Sequence, residues 1–524
     1  MLVKIKRALI SVSDKSYLDV LAKNLSERGV EIISSGGTRN YIMGLGIDVT
    51  PIEKVTGNPE AFGGRMKTLS FQVASALLFR RDNENDRKQA KDLGIEAIDL
   101  VVCNLYPFEE TARKNSPFSD LIENIDIGGP TMVRAAAKNF DSVCICTDPS
   151  QYDLLIKNLE KNDGSTEISL RKKLSLEAFR QTAYYDSLIA SELEKESGED
   201  LKTINLSPLK TSTLRYGENP HQKGWVVKSP LGEGLAHAVP IQGKEISYNN
   251  LLDADAAYRA TCDLNSLAKA PFDFAVTIIK HSNPCGVALS TTPLKALEMA
   301  WSGDPISSFG SIICFNREVD ESCAQFLSSR FVEVILAPSF SKEALSIFSE
   351  KKNLRLIPLD LKMGYLSEYM VRSISGGFVV QTEDQGLDEN FKVVTKNNFP
   401  EKQMGLVNYA TMVTKHLKSN AIALFKEVPD GYMLIGAGMG NPNRLVSISQ
   451  AVAKAHENKF SDLSDAVLVS DAFFPFSDNI DATSSVGIKF IIQPGGSIKD
   501  KDVIEAADKT GTAMIFSGRR HFRH

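Results

Sequence analysis

A lysine and a histidine side by side at the end of an apolar run are well placed in this sequence for proton transfer. Lys280-His-Ser-Asn-Pro-Cys-Gly286 follows Ala275-Val-Thr-Ile-Ile279, and ligands of α/β sheets sit beyond the C-terminal ends of strands. A cation beside an imidazole disfavours the imidazolium, which leaves His281 a neutral base near pH 7. Cys285 offers a rival chemistry, a Cys–His nucleophile; the Asn-Pro-Cys-Gly turn offers the plainer reading of a small buried residue. Further polar loops are Arg215 to Gln222, Gly303 to Gly310, Lys418-Ser-Asn420 after a helix, Gly436-Ala-Gly438 after a strand, and Ser470 to Phe476. The end of the chain, Arg519-Arg-His-Phe-Arg-His524, carries cations and a ring suited to a phosphate or a carboxylated ligand.

A second group of residues suits anion binding. Ser34-Ser-Gly-Gly-Thr38 joins an apolar strand to a helical pattern, where backbone N–H groups can face a phosphate, and the same spacing also occurs in ordinary Gly-rich turns. Ser11-Val-Ser-Asp-Lys15 is a similar turn. In Asn124 to Asn139, Gly-Gly-Pro opens a helix with proline at its first position. Thr131, Arg134 and Lys138 then share one face, and Asp126 stands where it could pair with Lys138 across the loop. Arg65 and Lys67 follow the diglycine Gly63-Gly64 and would share a face of an extended segment. Tyr106 ends a buried run at Asn104-Leu-Tyr-Pro-Phe108.

These residues need a parallel sheet to hold them. Short β-branched runs at Arg7 to Val12, Val30 to Ser34, Leu100 to Asn104 and Ser142 to Thr147 alternate with helical patterns at Tyr17 to Arg28, Thr131 to Asn139 and Ser169 to Glu196. That alternation predicts an α/β domain over 1–197. Gly, Glu, Asp, Lys, Ser and Pro dominate 198–214, read as a linker. A second α/β domain over 215–524, long enough for two subdomains, has buried runs at Phe274 to Ile279, Ser311 to Phe315, Glu333 to Ala337, Tyr432 to Ile435, Ala466 to Val469 and Phe490 to Gln493. No fixed-period repeat is visible.

At 524 residues the chain exceeds one hydrophobic core, and 43% hydrophobic with 24% charged residues excludes disorder. A net charge of −5 without a long basic block argues against nucleic acid as a partner. The apolar runs fall short of the roughly 20 residues of a membrane helix, and Met1 to Lys15 lacks a signal-peptide core. Seven cysteines without a CxxC fit free thiols and a cytoplasmic protein without a metal centre. Cys144 and Cys146 share a strand face and read as buried thiols.

Taken in order along the chain, these motifs resemble the AICAR transformylase/IMP cyclohydrolase family of purine biosynthesis. The resemblance implies a methylglyoxal-synthase-like first domain, a second domain of cytidine-deaminase-like subdomains, and a homodimer. It further implies formyl transfer from 10-formyltetrahydrofolate, a cosubstrate, to AICAR, then dehydrative closure of FAICAR to IMP, which needs no cofactor. By the resemblance His281 is the proton shuttle of formyl transfer, Lys280 assists it and Asn420 positions the formyl group. Arg215, Tyr216, Phe309, Gly310 and Arg520 line the substrates, as does Glu333, where some members carry an aspartate. Lys67, Tyr106, Asp126 and Lys138 match the cyclohydrolase site, with Ser11, Ser13, Lys15, Ser35, Gly37, Thr38, Arg65 and Thr68 around the nucleotide.

Two departures stand out. Where many members continue Lys-Thr-Leu with His-Pro, this chain has Ser70-Phe71, and where Gly-Ala-Gly-Gln followed shortly by Ser-Arg is usual it has the longer loop Gly436 to Arg444 without that glutamine. Two alternatives stay open at this level. One is a transformylase whose first domain only binds nucleotide, and the other a first domain that senses phosphate. The set Lys67, Tyr106, Asp126 and Lys138 argues against both, since a sensor needs the phosphate loops alone.

Overall fold

The computed structural model describes residues 2–62, 65–114, 116–197, 211–228, 232–361 and 369–524. The predicted diglycine Gly63-Gly64 and most of the predicted linker, 198–210, lie outside the described residues. Two compact units form, one from residues 1–210 and 228–231 and the other from 211–227 and 232–524. Thr211–Leu214, read from the sequence as linker, pairs as a strand with Gly224–Val227, so Arg215 to Gln222 is the loop of a hairpin.

In the first unit five strands lie in the order Thr50–Pro51, Glu31–Ser34, Arg7–Val12, Leu100–Asn104, Cys144–Cys146, all parallel. Ala8, Leu9, Ile10, Leu100, Val101 and Val102 are buried to 1% exposure or less. Covered on both faces, such strands read as continuous apolar runs, which is why the sequence revealed them. Leu18–Glu27, Gly128–Lys138 and Ile168–Ser197 form the predicted helices. The chain leaves Arg7–Val12 first to one side and later returns on the other, so the sheet reverses its strand order there. The crevice for a ligand falls at the ends of Val12 and Asn104. Cys144 and Cys146 are buried thiols, as read.

The second unit is built on one eleven-stranded mixed sheet. Phe274–Lys280 and Asn283–Ser290 form a hairpin; Ser311–Phe315 pairs antiparallel with its first arm, and Val332–Ala337 and Arg355–Pro358 then add parallel to Ser311–Phe315. Ile422–Val428 and Gly431–Gly438 form a second hairpin, followed in the same way by Val467–Ser470, Phe490–Gln493 and Ala513–Phe516. The halves join where Asn283–Ser290 meets Gly431–Gly438. This duplication leaves no sequence repeat because different apolar residues satisfy the same burial. Pro293–Gly303 and Arg444–Glu457 occupy matching places in the two halves and lie close on the sheet. A Cβ on Gly286 would overlap the Ala300 carbonyl, and one on Gly438 the Ser447 carbonyl.

The Asn-Pro-Cys-Gly stretch is not a turn. It begins strand Asn283–Ser290, and the turn is the preceding pair His281-Ser282, with φ of 53° and 60°. Two left-handed residues between Lys280 and Asn283 make a tight hairpin turn of the type that glycine or asparagine usually supplies. The sequence misleads because neither is glycine.

Candidate active sites

In the first unit Asn104 ties the strand ends together. Its Oδ1 accepts the N–H groups of Ser13 at 2.6 Å and Asp14 at 3.0 Å, and its Nδ2 donates to the Asp14 carbonyl at 2.8 Å. This fixes the loop that bears Ser13 and Lys15, just past Ser11. Ser35 is the N-cap of helix Gly36–Gly44, and its hydroxyl makes no capping bond. Gly36 and Gly37 open the first turn, and a Cβ on Gly36 would lie 3.6 Å from the Lys67 ammonium. A helix N-terminus and an ammonium are both positive, so together they form a place for an anion. Glu60, 3.2 Å from Lys67, is the carboxylate already there. Thr38, placed around the nucleotide by the resemblance, spends its hydroxyl within the fold. It is buried, donates to the Val12 carbonyl at 2.9 Å and accepts the Val12 N–H at 3.2 Å, pinning helix to strand.

The segment carrying Arg65 and Lys67 is a turn closed by a bridge between Ala61 and Met66, not an extended run. The two cations diverge: Arg65 reaches Glu123, while Lys67 faces Gly36. Thr68 meets the start of helix Gly128–Lys138, where a Cβ on Gly128 would come within 2.7 Å of its hydroxyl. Asp126 Oδ1 accepts the Gly129 N–H at 2.8 Å, and a side chain on Gly129 would overlap the same carboxylate. The helix begins at Gly128, so Pro130 is its third residue; the first turn has no use for that missing N–H. Burial raises the Asp126 pKa against the backbone N–H groups of Gly129, Tyr106 and Gly128, which lower it. Tyr106 is thus adjacent through its backbone, and the residue is 44% exposed. Lys138 does not join them. It sits in the last turn, about 15 Å along the helix from Gly128 at 1.5 Å per residue, on the exposed face with Thr131 and Arg134.

In the second unit the His281-Ser282 turn is anchored from below. Asp253, on helix Tyr248–Leu267, accepts the Ser282 N–H at 2.7 Å, and Asn283 Nδ2 donates to the His281 carbonyl at 3.0 Å. Lys280 Nζ donates to the carbonyls of Phe309 at 2.8 Å and Gly310 at 3.2 Å, which brings together three predicted residues. Beside them lies a cavity of about 290 Å³, lined among others by Lys280, His281, Asp304, Ala437, Met439 and Lys454. That is near the lower end of small-molecule pockets, about 300–1,000 Å³. Cys285 is no nucleophile: its thiol donates to the Ile278 carbonyl, and burial pushes its pKa up to about 12.

Asn283 Oδ1 accepts the Lys418 N–H at 3.1 Å, which links this hairpin to the segment leading into Asn420. The Arg215 guanidinium lies 4.9 Å from the Tyr216 ring centre, and that of Arg520 4.4 Å from Phe522. Glu333 is engaged by Arg355 at 2.8 Å. Among the described residues no cluster of His, Cys, Asp and Glu fit for a metal occurs, and no helix is long and apolar enough to cross a membrane.

Residues 136–454 match the AICARFT/IMPCHase bienzyme family, and 18–131 match the MGS-like domain. The chain belongs to the AICARFT/IMPCHase bienzyme family. It is 46% identical to the bifunctional purine biosynthesis protein PurH of Persephonella marina (strain DSM 14350 / EX-H1), over 99% of this chain and 100% of that one. PurH of Bacillus cereus (strain ATCC 10987 / NRS 248) is 45% identical over the same shares. A solved structure, the crystal structure of ForH, aligns with 36% of this chain and 99% of its own at 33% identity, with a TM-score of 0.32. The resemblance read from the motifs is borne out. The bienzyme is a bifunctional AICAR transformylase and IMP cyclohydrolase, with an MGS-like first domain on a five-stranded parallel sheet and a second domain on a large mixed sheet.

The two departures acquire structural reasons. Ser70 caps helix Phe71–Leu78, its Oγ accepting the Val73 N–H at 3.1 Å, so the residue that replaces histidine starts a helix the sequence reading left out. In the long loop, the Asn441 carbonyl accepts both the N–H and the Nδ2 of Asn420, at 3.1 and 2.8 Å. Arg444 Nη2 donates to Asn420 Oδ1 at 2.8 Å and to Asp471 Oδ1 at 3.0 Å. Sequence reasoning passed over Asn104, Asn441 and Arg444 because each acts through a contact far along the chain.

Proposed function

We propose that residues 215–524 transfer the formyl group of 10-formyltetrahydrofolate to the 5-amino group of AICAR, and that residues 1–197 close FAICAR to IMP. The observation that carries the first half is the Lys280 ammonium, fixed on the Phe309 and Gly310 carbonyls at the foot of the turn that raises His281 beside the cavity. The bond formed joins the amine nitrogen to the formyl carbon, and the bond broken joins that carbon to N10 of the folate. His281 takes the proton the amine loses and returns it to N10. Asn420 holds the formyl oxygen as it gathers negative charge. Arg215, Tyr216 and Arg520 hold the nucleotide, and Glu333, already paired with Arg355, contributes through that pair. The paired half-sheets fit the reading of two cytidine-deaminase-like subdomains.

In the first domain Ser35, Gly36, Gly37 and Lys67 receive the phosphate, with Ser11, Ser13, Lys15 and Arg65 around the nucleotide, and Thr38 and Thr68 shape the loops. Asp126 and Tyr106 handle the proton and the carbonyl as the carboxamide nitrogen meets the formyl carbon and water leaves. Ring closure is intramolecular, so positioning supplies much of the rate. Lys138, a helix length away, enters this reading only through the family motif. By the family resemblance the protein works as a homodimer, and its free cysteines suit the cytoplasm.

The test is His281→Ala. Formyl transfer should fall about 100-fold or more, within the range of a lost general acid–base group, while closure of added FAICAR stays within twofold. Equal loss of both rates in folded protein would sink the division of labour.

A further inference from the structure

We infer that Arg444, with the carbonyl of Asn441, sets the orientation of the Asn420 carboxamide and is a positioning residue for formyl transfer. The inference rests on the proposed role of Asn420. An amide's oxygen and nitrogen are told apart by their partners, and here the partners leave no choice. A guanidinium only donates, so the atom facing Arg444 at 2.8 Å is Oδ1. A carbonyl only accepts, so the atom facing Asn441 at 2.8 Å is Nδ2. One N–H of the amide remains without a partner among the described residues. The carboxamide therefore presents a donor, the polarity that a formyl oxygen becoming an oxyanion requires.

Both clamps are themselves braced. Arg444 is 10% exposed and balanced by Asp471, which is fully buried and also accepts from the Ser419 hydroxyl. Asn441 donates through its side chain to Gln450 at 2.7 Å and to the Ser447 hydroxyl at 3.2 Å, while Ser447 Oγ donates back to the Asn420 carbonyl at 2.8 Å. The Arg444 Nε–H is buried with no partner among the described residues. The guanidinium is held by Nη1, which donates to the Phe473 carbonyl at 3.3 Å, and by Nη2, which spans Asp471 and Asn420. Asn441 lies in the loop where this chain departs from the family's usual sequence, and Arg444 stands at its end, where the family pattern also closes on an arginine.

A double-mutant cycle tests the inference in the full-length protein. Arg444→Met should lower the kcat of formyl transfer about 30-fold, less than the 10²–10³ typical of deleting an oxyanion donor outright, with the KM for AICAR within threefold. In an Asn420→Ala background, Arg444→Met should add less than threefold, because the group it orients is gone. If Arg444→Met does not fold, Arg444→Lys keeps the charge beside Asp471 and should lose about tenfold, again only while Asn420 is present. A slow Asn420→Ala enzyme in which Arg444→Met still multiplies the loss overturns the positioning role alone. An Asn420→Ala enzyme with unchanged kcat overturns the reading of Asn420 and this inference with it.

Discussion

Raising the pH should unlatch the segment that carries Arg520. The neighbouring His521 side chain is 9% exposed, between Asp384 at 2.7 Å and Asp388 at 3.2 Å. Arg519 also reaches Asp384, and Lys415 donates to the Asp384 carbonyl. Burial lowers the imidazole pKa, but the hydrogen bonds and charges of the two carboxylates outweigh it and raise the value to about 9. Against an ordinary value near 6.5, that is about 3 kcal/mol at 1.36 kcal/mol per unit. Because the folded-state pKa is the higher one, the contribution is complete below about pH 6.5 and is lost as pH rises through 9. Asp384 is 37% exposed, so solvent screening trims it to about 2 kcal/mol.

His521→Gln is the matching perturbation. Trp225 and Trp301 are the two tryptophans and both belong to the second unit, so urea unfolding followed by tryptophan fluorescence reports on that unit. At pH 7 the variant should be less stable than the wild type by about 2 kcal/mol, and at pH 10 the difference should approach its value for two uncharged side chains. The KM for AICAR of the wild type should rise over the same interval and that of the variant should stay flat. A stability difference that is the same at pH 7 and pH 10 would refute the reasoning.

Three further outcomes follow from the first domain. Asp126→Asn keeps an acceptor for the Gly129 N–H but removes the titrating carboxyl. Cyclisation should fall at least about tenfold with KM for FAICAR within threefold and formyl transfer untouched. Gly129→Ala drives a methyl into Asp126 and to 2.8 Å from Leu105 Cδ2; calorimetry should show about 1–3 kcal/mol of destabilisation, with cyclisation lost first. Ser70→Ala removes a cap and should cost about 1 kcal/mol while leaving the cyclisation rate within twofold; a large rate loss would give Ser70 a chemical role.

What could be read from the sequence divides along physical lines. The strands of the first domain were legible because both faces are covered, so the middles of Arg7–Val12 and Leu100–Asn104 are apolar runs. The loops after them were legible because serine, glycine and lysine cluster where helices begin. Asn283–Ser290 was not, since a proline and a glycine near its start imitate a turn. The doubled half-sheet was invisible for a related reason, because burial asks for apolar residues and not for the same ones. Side-chain geometry was legible only locally. Lys280 and His281 are neighbours in sequence and in space, whereas the links of Lys67 to Gly36, and of Arg444 to Asn420, join residues 24 or more positions apart. Lys138 shows the converse, a residue near Asp126 in sequence that the intervening helix carries away from it.

One chain performs two reactions in order. A mass-resolved time course with purified protein, AICAR and 10-formyltetrahydrofolate, following FAICAR and IMP separately, measures this directly. IMP accumulating after a small transient of FAICAR is the predicted result; FAICAR accumulating without IMP would contradict it.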